Sequence, residues 1–216
     1  LFARILDELS SIEEALGNGA YHVHWRVLNS KLYGGVPQSR PRIYIVGILK
    51  TKQRHPFKWP CKIKCRPIDT ILGPPNLGKA RAPDLSNVSA SAACRIAESL
   101  EKIVNKSGNP LEETWFVDCN ASPSRVSVHK DICPCLTRSR AGAGGFYVTN
   151  RGTMLTTAQM LKLQGVSLQR ILRPTGASER QFRHALRSAA TVPVLARVTL
   201  NLCKSLAYVS RTAKVD

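Results

Sequence analysis

The spacing of apolar residues changes twice within the first fifty positions. Over residues 1–16 the apolar residues recur every three or four positions, which is the pattern of an amphipathic helix: Phe2, Ile5, Leu6, Leu9, Ile12 and Leu16. Over residues 21–27 they alternate with polar residues and predict a half-buried strand. Residues 43–50 are almost entirely apolar and predict a strand covered on both faces. This order predicts the end of an α/β sheet, with residues 1–50 as its domain.

A loop-rich basic segment separates this part from the rest of the chain. Between Thr51 and Arg81, eight lysines and arginines are met by one acid, Asp69, and five prolines interrupt any regular pattern. We interpret this segment as the connection into a second lobe, which would comprise residues 51–165.

Regular patterns return in the second half of the chain. They predict, in order, a helix over residues 90–105, a strand at 115–117, a short helix after Thr156, a helix over 178–188 and a helix that begins at Pro193. Thr156 and Gln159 have the spacing of a capping box. Residues 133–150 are Gly-rich and polar. We assign residues 166–216 to helices that return to the first domain.

The charge of the chain is strongly one-sided. Lysine and arginine number 32 against 14 aspartates and glutamates, which gives a formal net charge of +18. A domain this basic usually meets a polyanion, and nucleic acid is the first candidate. From Arg138 to Lys214 there are 13 basic residues and one acid, Glu179, so the excess is concentrated in the C-terminal part.

The sequence predicts neither membrane insertion nor disulfide chemistry. It contains no signal-peptide pattern and no apolar run long enough to span a bilayer. Seven cysteines at irregular spacings fit a reducing compartment, and we expect the nucleus. The pairs Cys61/Cys65 and Cys133/Cys135 could hold zinc, but no regular second pair completes a site, so we expect thiols and no metal.

One glycine-rich stretch has the spacing of a phosphate-binding loop. Gly73, Gly78 and Lys79 fall at the required positions. Pro74 and Pro75 remove backbone donors, however, and alanine follows the lysine where a hydroxyl would hold magnesium. We therefore interpret the stretch as a turn.

Two arginines stand two positions apart at the entrance to the second predicted strand. If the strand begins there, alternation places Arg40 and Arg42 on the same side of its mouth. Arginine carries a planar fork of donors and is always charged. A pair held in this way suits a carboxylate, a phosphate or the edge of a base. An ordinary basic loop that enters a buried strand is the alternative interpretation of these residues alone.

In its motifs the chain resembles the C-terminal half of a cytosine-5 DNA methyltransferase. Residues 37–42, Pro-Gln-Ser-Arg-Pro-Arg, followed by the apolar strand, resemble the family's eighth motif. Residues 154–165 resemble the ninth motif, and residues 189–197 resemble the tenth. The roughly 100 residues between the eighth and ninth motifs lie where the family has its target recognition domain.

The resemblance implies the fold, the substrate and the cofactor. The fold would be the C-terminal part of a Rossmann-like α/β methyltransferase domain, with an inserted small, β-rich target recognition lobe. The family flips a cytosine out of double-stranded DNA, attacks carbon 6 with a cysteine thiolate and transfers a methyl group from S-adenosylmethionine to carbon 5.

The resemblance also implies residue roles. Arg42 would contact O2 of the flipped cytosine, with Arg40 in support. The residues expected to contact DNA are Gln38, Thr137, Arg138, Ser139 and Arg140. Ser188 and Ala189 fall where the family touches the cofactor.

Several family motifs are not found in these residues. They include the Gly-rich cofactor loop, the Pro-Cys motif that carries the nucleophile and the Glu-Asn-Val motif. Pro60-Cys61 and Pro134-Cys135 both follow the eighth motif, and we assign neither as nucleophile. Since Leu1 starts directly in a helical pattern, we expect a fragment. A non-catalytic DNA-binding relative and the tRNA-methylating branch of the family are the alternatives.

The first prediction concerns the activity of the 216 residues alone. We expect that they neither bind S-adenosylmethionine tightly nor methylate DNA, because the motifs for the cofactor and the nucleophile are not among them. Transfer of a radiolabelled methyl group to duplex DNA measures this. Detectable transfer by these residues alone would contradict the prediction.

Overall fold

The computed structural model describes residues 1–15, 20–83, 85–86, 88–121, 127–137, 145–167, 176 and 178–215. Among them are eight helices and six strands. In chain order they are α1 (Phe2–Ala15), β1 (Tyr21–Asn29), α2 (Ser30–Tyr33), β2 (Pro41–Leu49), α3 (Asp69–Leu72), α4 (Leu77–Arg81), α5 (Ala90–Asn105), β3 (Trp115–Asp118), β4 (Val128–Lys130), β5 (Phe146–Val148), β6 (Thr153–Met154), α6 (Thr157–Leu163), α7 (Glu179–Ser188) and α8 (Val192–Ser205). None of the described helices has the length and apolar character that a bilayer crossing needs.

The first packing unit joins the two ends of the chain. Strands β1 and β2 pair antiparallel, with Tyr21 opposite Leu49 and Asn29 opposite Pro41. A proline suits the first position of a strand, where a missing donor interrupts few ladder bonds. Helix α8 packs on one face of this sheet, and the buried contacts are Leu28, Tyr33, Val46, Ile48, Val194 and Val198.

The prediction for which face of β1 is covered is wrong. The alternating apolar set of residues 21–27 was expected to be the buried one, yet Trp25 and Val27 are each 49% exposed. On β2 the neighbouring Ile43 and Ile45 are 51% and 39% exposed. The reason is that α8 covers the opposite face. On the exposed face, the ring of Phe2 of α1 packs edge-on against the ring of Trp25, with 5.0 Å between the two ring centroids.

The second packing unit is a four-stranded antiparallel sheet in the order β4-β3-β5-β6. Alternation along its central strands divides their side chains between two clusters. Phe116 and Phe146 pack with α3 and α6, whereas Val117 and Tyr147 pack with Ile96 of α5. The sheet therefore has helices on both faces, which explains why its central strands β3 and β5 are buried except at Trp115.

Several elements of this unit differ from the prediction. Strands β4, β5 and β6 were not predicted, because each is only two or three residues long and carries no alternation that can be read locally. Within the glycine-rich stretch at 73–80, the second part is the helix α4 rather than a turn. Asn76 starts this helix, since its side chain accepts a hydrogen bond from Lys79 N.

The predicted helices in the second half of the chain are confirmed to within one or two residues. Helix α5 has the predicted bounds, and α6 follows the capping box of Thr156 and Gln159, in which both reciprocal hydrogen bonds form. A second capping box, between Ser178 and Gln181, starts α7. Helix α8 has proline in its first turn, as predicted.

The end of α6 lies directly against the start of α8. Gly165 has φ +71°, and a Cβ atom there would lie 2.2 Å from Cδ of Pro193. The backbone N–H of Val192 donates to Gln164 O at 2.9 Å. Thr191 Oγ1 is 3.1 Å from Gln164 Oε1 and 2.7 Å from Ser30 Oγ. This buried polar junction connects the second lobe with the first sheet.

The second prediction is that Gly165→Ala destabilises the fold more than its control. A left-handed alanine alone costs about 1–2 kcal/mol, which is the effect expected for Gly176→Ala, where φ is +84° and no described atom lies within 4 Å. At Gly165 the clash with Pro193 adds about 1–3 kcal/mol, because the overpacked junction must open. Urea unfolding of both variants measures this difference. Equal losses would show that the junction does not constrain the fold.

Candidate active site

The mouth of the first sheet is formed by the loop between β1 and β2. Asn29 ends β1, and its side-chain oxygen accepts hydrogen bonds from Lys31 N and Arg40 N, both at 3.1 Å. Its amide nitrogen donates to Ser39 Oγ at 3.3 Å. One half-buried amide thus joins the start and the end of the loop. The position of Arg40 relative to the strands is therefore set by Asn29.

The loop also pairs with a distant part of the chain. Ser39 N donates to Cys133 O at 2.8 Å, and Cys133 N donates to Pro37 O at 2.9 Å. Gln38 lies between them, with no exposed surface, in a parallel bridge to Cys133. These bonds place residues 133–137 of the second lobe against the strand mouth.

Arg40 is buried and connects three segments. Its side chain is only 1% exposed. Nη1 donates to Leu136 O at 2.8 Å, and Nη2 donates to Ala189 O at 2.8 Å. Hydrogen bonds to a charged group contribute about 1.5–3 kcal/mol each, and a planar guanidinium can span two carbonyls where an ammonium cannot. Arg40 therefore connects the loop between β1 and β2, the second lobe and the residues just before α8.

Arg42 lies beside Arg40 but is only partly covered. Its Nη1 donates to Pro41 O at 2.8 Å, and its Nη2 is 3.3 Å from Cys135 Sγ. Nη1 of Arg40 is 3.4 Å from the same sulfur. The two arginines therefore lie on the same side, as alternation predicts, and converge on one thiol. Only Arg42 extends toward solvent.

The electrostatics of the pair follow from this difference in burial. Burial lowers the pKa of Arg40, the sulfur of Cys135 raises it, and the like charge of Arg42 lowers it again. Burial raises the pKa of Tyr44, two positions along the strand, while both arginines lower it. The positive field of the pair thus extends along β2 as well as into the opening at its start.

The other residues predicted to contact DNA have different positions. Gln38 is at the mouth but fully buried, and neither polar atom of its side chain has a hydrogen-bond partner among the described residues. Thr137 is half-buried, two residues after Cys135. Arg138, Ser139 and Arg140 lie outside the described residues.

The two residues predicted to touch the cofactor are both engaged within the chain. Ser188 Oγ donates to His184 O of its own helix at 3.3 Å. The carbonyl of Ala189 accepts from Arg40. Ala189 therefore borders the arginine pair, whereas the hydroxyl of Ser188 is directed back to α7.

No group of three or more metal-ligating side chains exists among the described residues. Cys135 contacts both guanidiniums, and the sequence did not predict this position for it. Nothing in the local sequence distinguishes it from the other cysteines, because the contact depends on the pairing of residues 37–39 with Cys133, about 95 positions away.

Comparison with known proteins decides the family. A family model described as C-5 cytosine-specific DNA methylase matches residues 3–167. The chain belongs to the C-5 cytosine-specific DNA methylase family. The matched residues include the strand mouth, Cys135 and the whole four-stranded sheet, so the arginine pair of this family member lies inside the matched region.

Individual relatives agree with this membership. The Type II methyltransferase M.Bsp6I of Bacillus sp. strain RFL6 is 30% identical over 204 residues, which is 90% of this chain and 59% of that protein. The Type II methyltransferase M.NgoBV of Neisseria gonorrhoeae is 49% identical over 49 residues, which is 23% of this chain and 11% of that protein.

A solved structure shares the mixed α/β fold of this family member. The methyltransferase EhMeth of Entamoeba histolytica matches with a TM-score of 0.54 at 18% identity, and the match covers 94% of this chain and 58% of that one. The chain therefore spans between half and two thirds of the length of M.Bsp6I and of EhMeth.

The third prediction separates the two arginines of this methylase by their effect on stability. Arg40→Lys is expected to lower the free energy of unfolding by about 1–3 kcal/mol, because one ammonium leaves a buried carbonyl of Leu136 or Ala189 without a donor. Arg42→Lys at the partly exposed neighbour is the matched control, with an expected change within about 0.5 kcal/mol. Urea unfolding measures both. Equal changes would show that Arg40 does not hold the segments together.

Proposed function

We propose that this chain carries the base-contacting arginines and the target recognition lobe of a DNA (cytosine-5-)-methyltransferase. The substrate would be a cytosine flipped out of double-stranded DNA, with S-adenosylmethionine as the methyl donor of the complete enzyme. The observation that carries the proposal is the arginine pair, in which one guanidinium is locked into the backbone and its neighbour extends toward solvent at a strand mouth.

The two arginines have different roles in this proposal. Arg42 contacts O2 of the flipped cytosine. Addition of a thiolate to carbon 6 shifts negative charge toward that oxygen, and a charged donor there stabilises the charge as it develops. Among the described residues, Pro41 and Cys135 account for two of the five N–H donors of Arg42. Arg40 is a positioning residue, since its contacts are to backbone carbonyls of the chain itself.

The surroundings of Arg42 support a site that a ligand completes. A buried amide without a partner costs free energy, and such groups in folded proteins call for an explanation. Gln38 has such an amide within the described part of the chain, two residues before Arg40. We infer that nucleotide binding supplies its partner, and that Thr137, on the other side of Cys135, contacts the DNA together with the segment 138–140.

The described residues do not by themselves fit S-adenosylmethionine. The hydroxyl of Ser188 and the carbonyl of Ala189 are both engaged in hydrogen bonds within the chain. We therefore assign them no step of the reaction. The apolar face with Trp25, Val27 and Ile43 supports the view that activity requires further residues packed on this sheet.

The nucleophile is also placed elsewhere in this proposal. Cys61 is exposed beside α8, where its carbonyl accepts from Arg197 at 3.0 Å. Cys135 touches both guanidiniums and is assigned to holding Arg42 in position. The proposal includes a nuclear location, because the nucleus is the compartment in which the protein would encounter DNA.

The fourth prediction tests the contact between Arg42 and the base. The 216-residue chain is expected to bind a duplex with a bulged cytosine more tightly than a fully paired duplex, because the cost of unpairing has already been met. Arg42→Ala should weaken binding to the bulged cytosine by about 1.5–3 kcal/mol, or roughly 10- to 100-fold. Fluorescence anisotropy with labelled duplexes measures both affinities.

A bulged adenine, which has no O2 atom, is the matched control for that experiment. Binding to it should change little in the Arg42→Ala variant. The same loss on both bulges would refute the base contact, leaving a general DNA-binding protein as the function. A parallel titration with transfer RNA tests the other alternative, and tighter binding to transfer RNA than to DNA would move the substrate to that branch of the family.

A further inference from the structure

A second basic feature of the molecule is a groove that does not include the arginine pair. It has a volume of about 1370 Å³ and lies between α8, the extended segment of residues 55–66 and the end of α6. The loop that carries Arg40 contributes only Gly34 and Val36 to its lining. None of Arg40, Arg42, Cys135 and Thr137 lines it. The groove is therefore separate from the proposed base contact, although one loop borders both.

The wall of the groove is fixed by hydrogen bonds from α8 to the extended segment. Asn201 Nδ2 donates to Lys58 O at 2.8 Å, and Ser205 Oγ donates to His55 O at 3.0 Å. Arg197 Nη1 donates to Cys61 O at 3.0 Å. A segment without regular secondary structure is thus held by its carbonyls along three turns of one helix, which leaves the side chain of Lys58 exposed at the groove.

The charge that lines the groove is of one sign. Seven side chains bring positive charge to it: Lys58, Arg66, Lys162, Arg197, Lys204, Arg211 and Lys214. No aspartate or glutamate is among its described lining residues. Like charges on a flat, solvated face repel weakly, but protein walls of low dielectric strengthen the repulsion within a concave site. This arrangement favours an anionic ligand that neutralises several of the cations at once.

The distribution of the cations favours an extended polyanion over a single small anion. The cations come from four separate parts of the chain rather than converging on one point. The 14 residues of α8 extend for about 21 Å. One strand of B-DNA carries a phosphate for roughly every 3.4 Å of the helix axis, so the helix spans about six phosphates. A groove that runs along a helix of this length can accommodate a run of backbone phosphates.

We propose that this groove binds the sugar–phosphate backbone of DNA that flanks the target base. The inference rests on the proposed function, which identifies the polyanion as DNA. It adds a second contact to DNA, beyond the one made by the recognition lobe. Contacts to phosphates fix the register and orientation of a protein on DNA without reading its sequence. The groove would therefore hold the duplex while the strand mouth engages the flipped base.

The fifth prediction concerns the dependence of binding on DNA length and salt. Two duplexes with the same central sequence are compared, one of about one helical turn, or ~10 base pairs, and one about four times as long. The wild-type chain should bind the longer duplex more tightly and with a steeper salt dependence. Lys58→Ala with Lys204→Ala should remove up to about 1.8 from the slope of log K against log salt on the longer duplex, about 0.9 for each lost phosphate contact.

The control variant is Lys102→Ala with Lys106→Ala on α5. Each pair combines one exposed and one half-buried lysine, so the two variants are matched in charge and burial. The control should retain the wild-type slope, and neither variant should change the affinity for the short duplex by more than twofold. Thermal unfolding of both variants verifies that the fold is intact.

Each outcome separates the two proposals. If the wild-type chain binds neither duplex, the proposed function fails. If it binds DNA but the groove variant keeps the slope of the control, the groove proposal fails alone. The last experiment measures binding of the chain and of the groove variant to vesicles that contain phosphatidylserine. Loss of vesicle binding in the groove variant, with DNA binding unchanged, would assign the groove to a membrane surface and overturn the proposal.

Discussion

The buried guanidinium of Arg40 is the interaction on which the arrangement of this molecule depends. It donates to the carbonyl of Leu136, in the second lobe, and to the carbonyl of Ala189, just before α8. A buried charge is tolerated only when its donors are satisfied, so the three segments can separate only at a cost of several kcal/mol. The arginine therefore couples the position of the lobe to the packing of the C-terminal helix on the first sheet.

Placing Arg42 next to this buried charge has a consequence for the site. Two guanidiniums at one sulfur repel each other, and the fixed one cannot move away because its carbonyl partners hold it. Arg42, the partly exposed member of the pair, is therefore biased toward solvent and toward any incoming electron-rich group. A catalytic donor gains from this kind of preorganisation, since its orientation does not have to be established during the reaction.

The sequence was most informative where a signal is local. The capping box at Thr156, the bounds of α5 and the side shared by Arg40 and Arg42 follow from spacing alone. The covered face of β1 could not be predicted in this way, because it depends on α8, which returns from about 170 positions further along the chain. The role of Cys135 was hidden for the same reason, since its contact to Arg40 requires the bridge between Gln38 and Cys133.

The excess of positive charge has two distinct structural consequences. At the strand mouth the arginines are held at fixed distances by backbone carbonyls and one sulfur, which suits recognition of a single oriented group. In the groove along α8 the cations come from four separate parts of the chain, on long and mainly exposed side chains. Such side chains adapt to a repeating charge but do not discriminate between bases. One region thus suits recognition of an oriented group and the other suits neutralisation of charge. The proposed function, in which one base is extruded from a long polyanion, would need both.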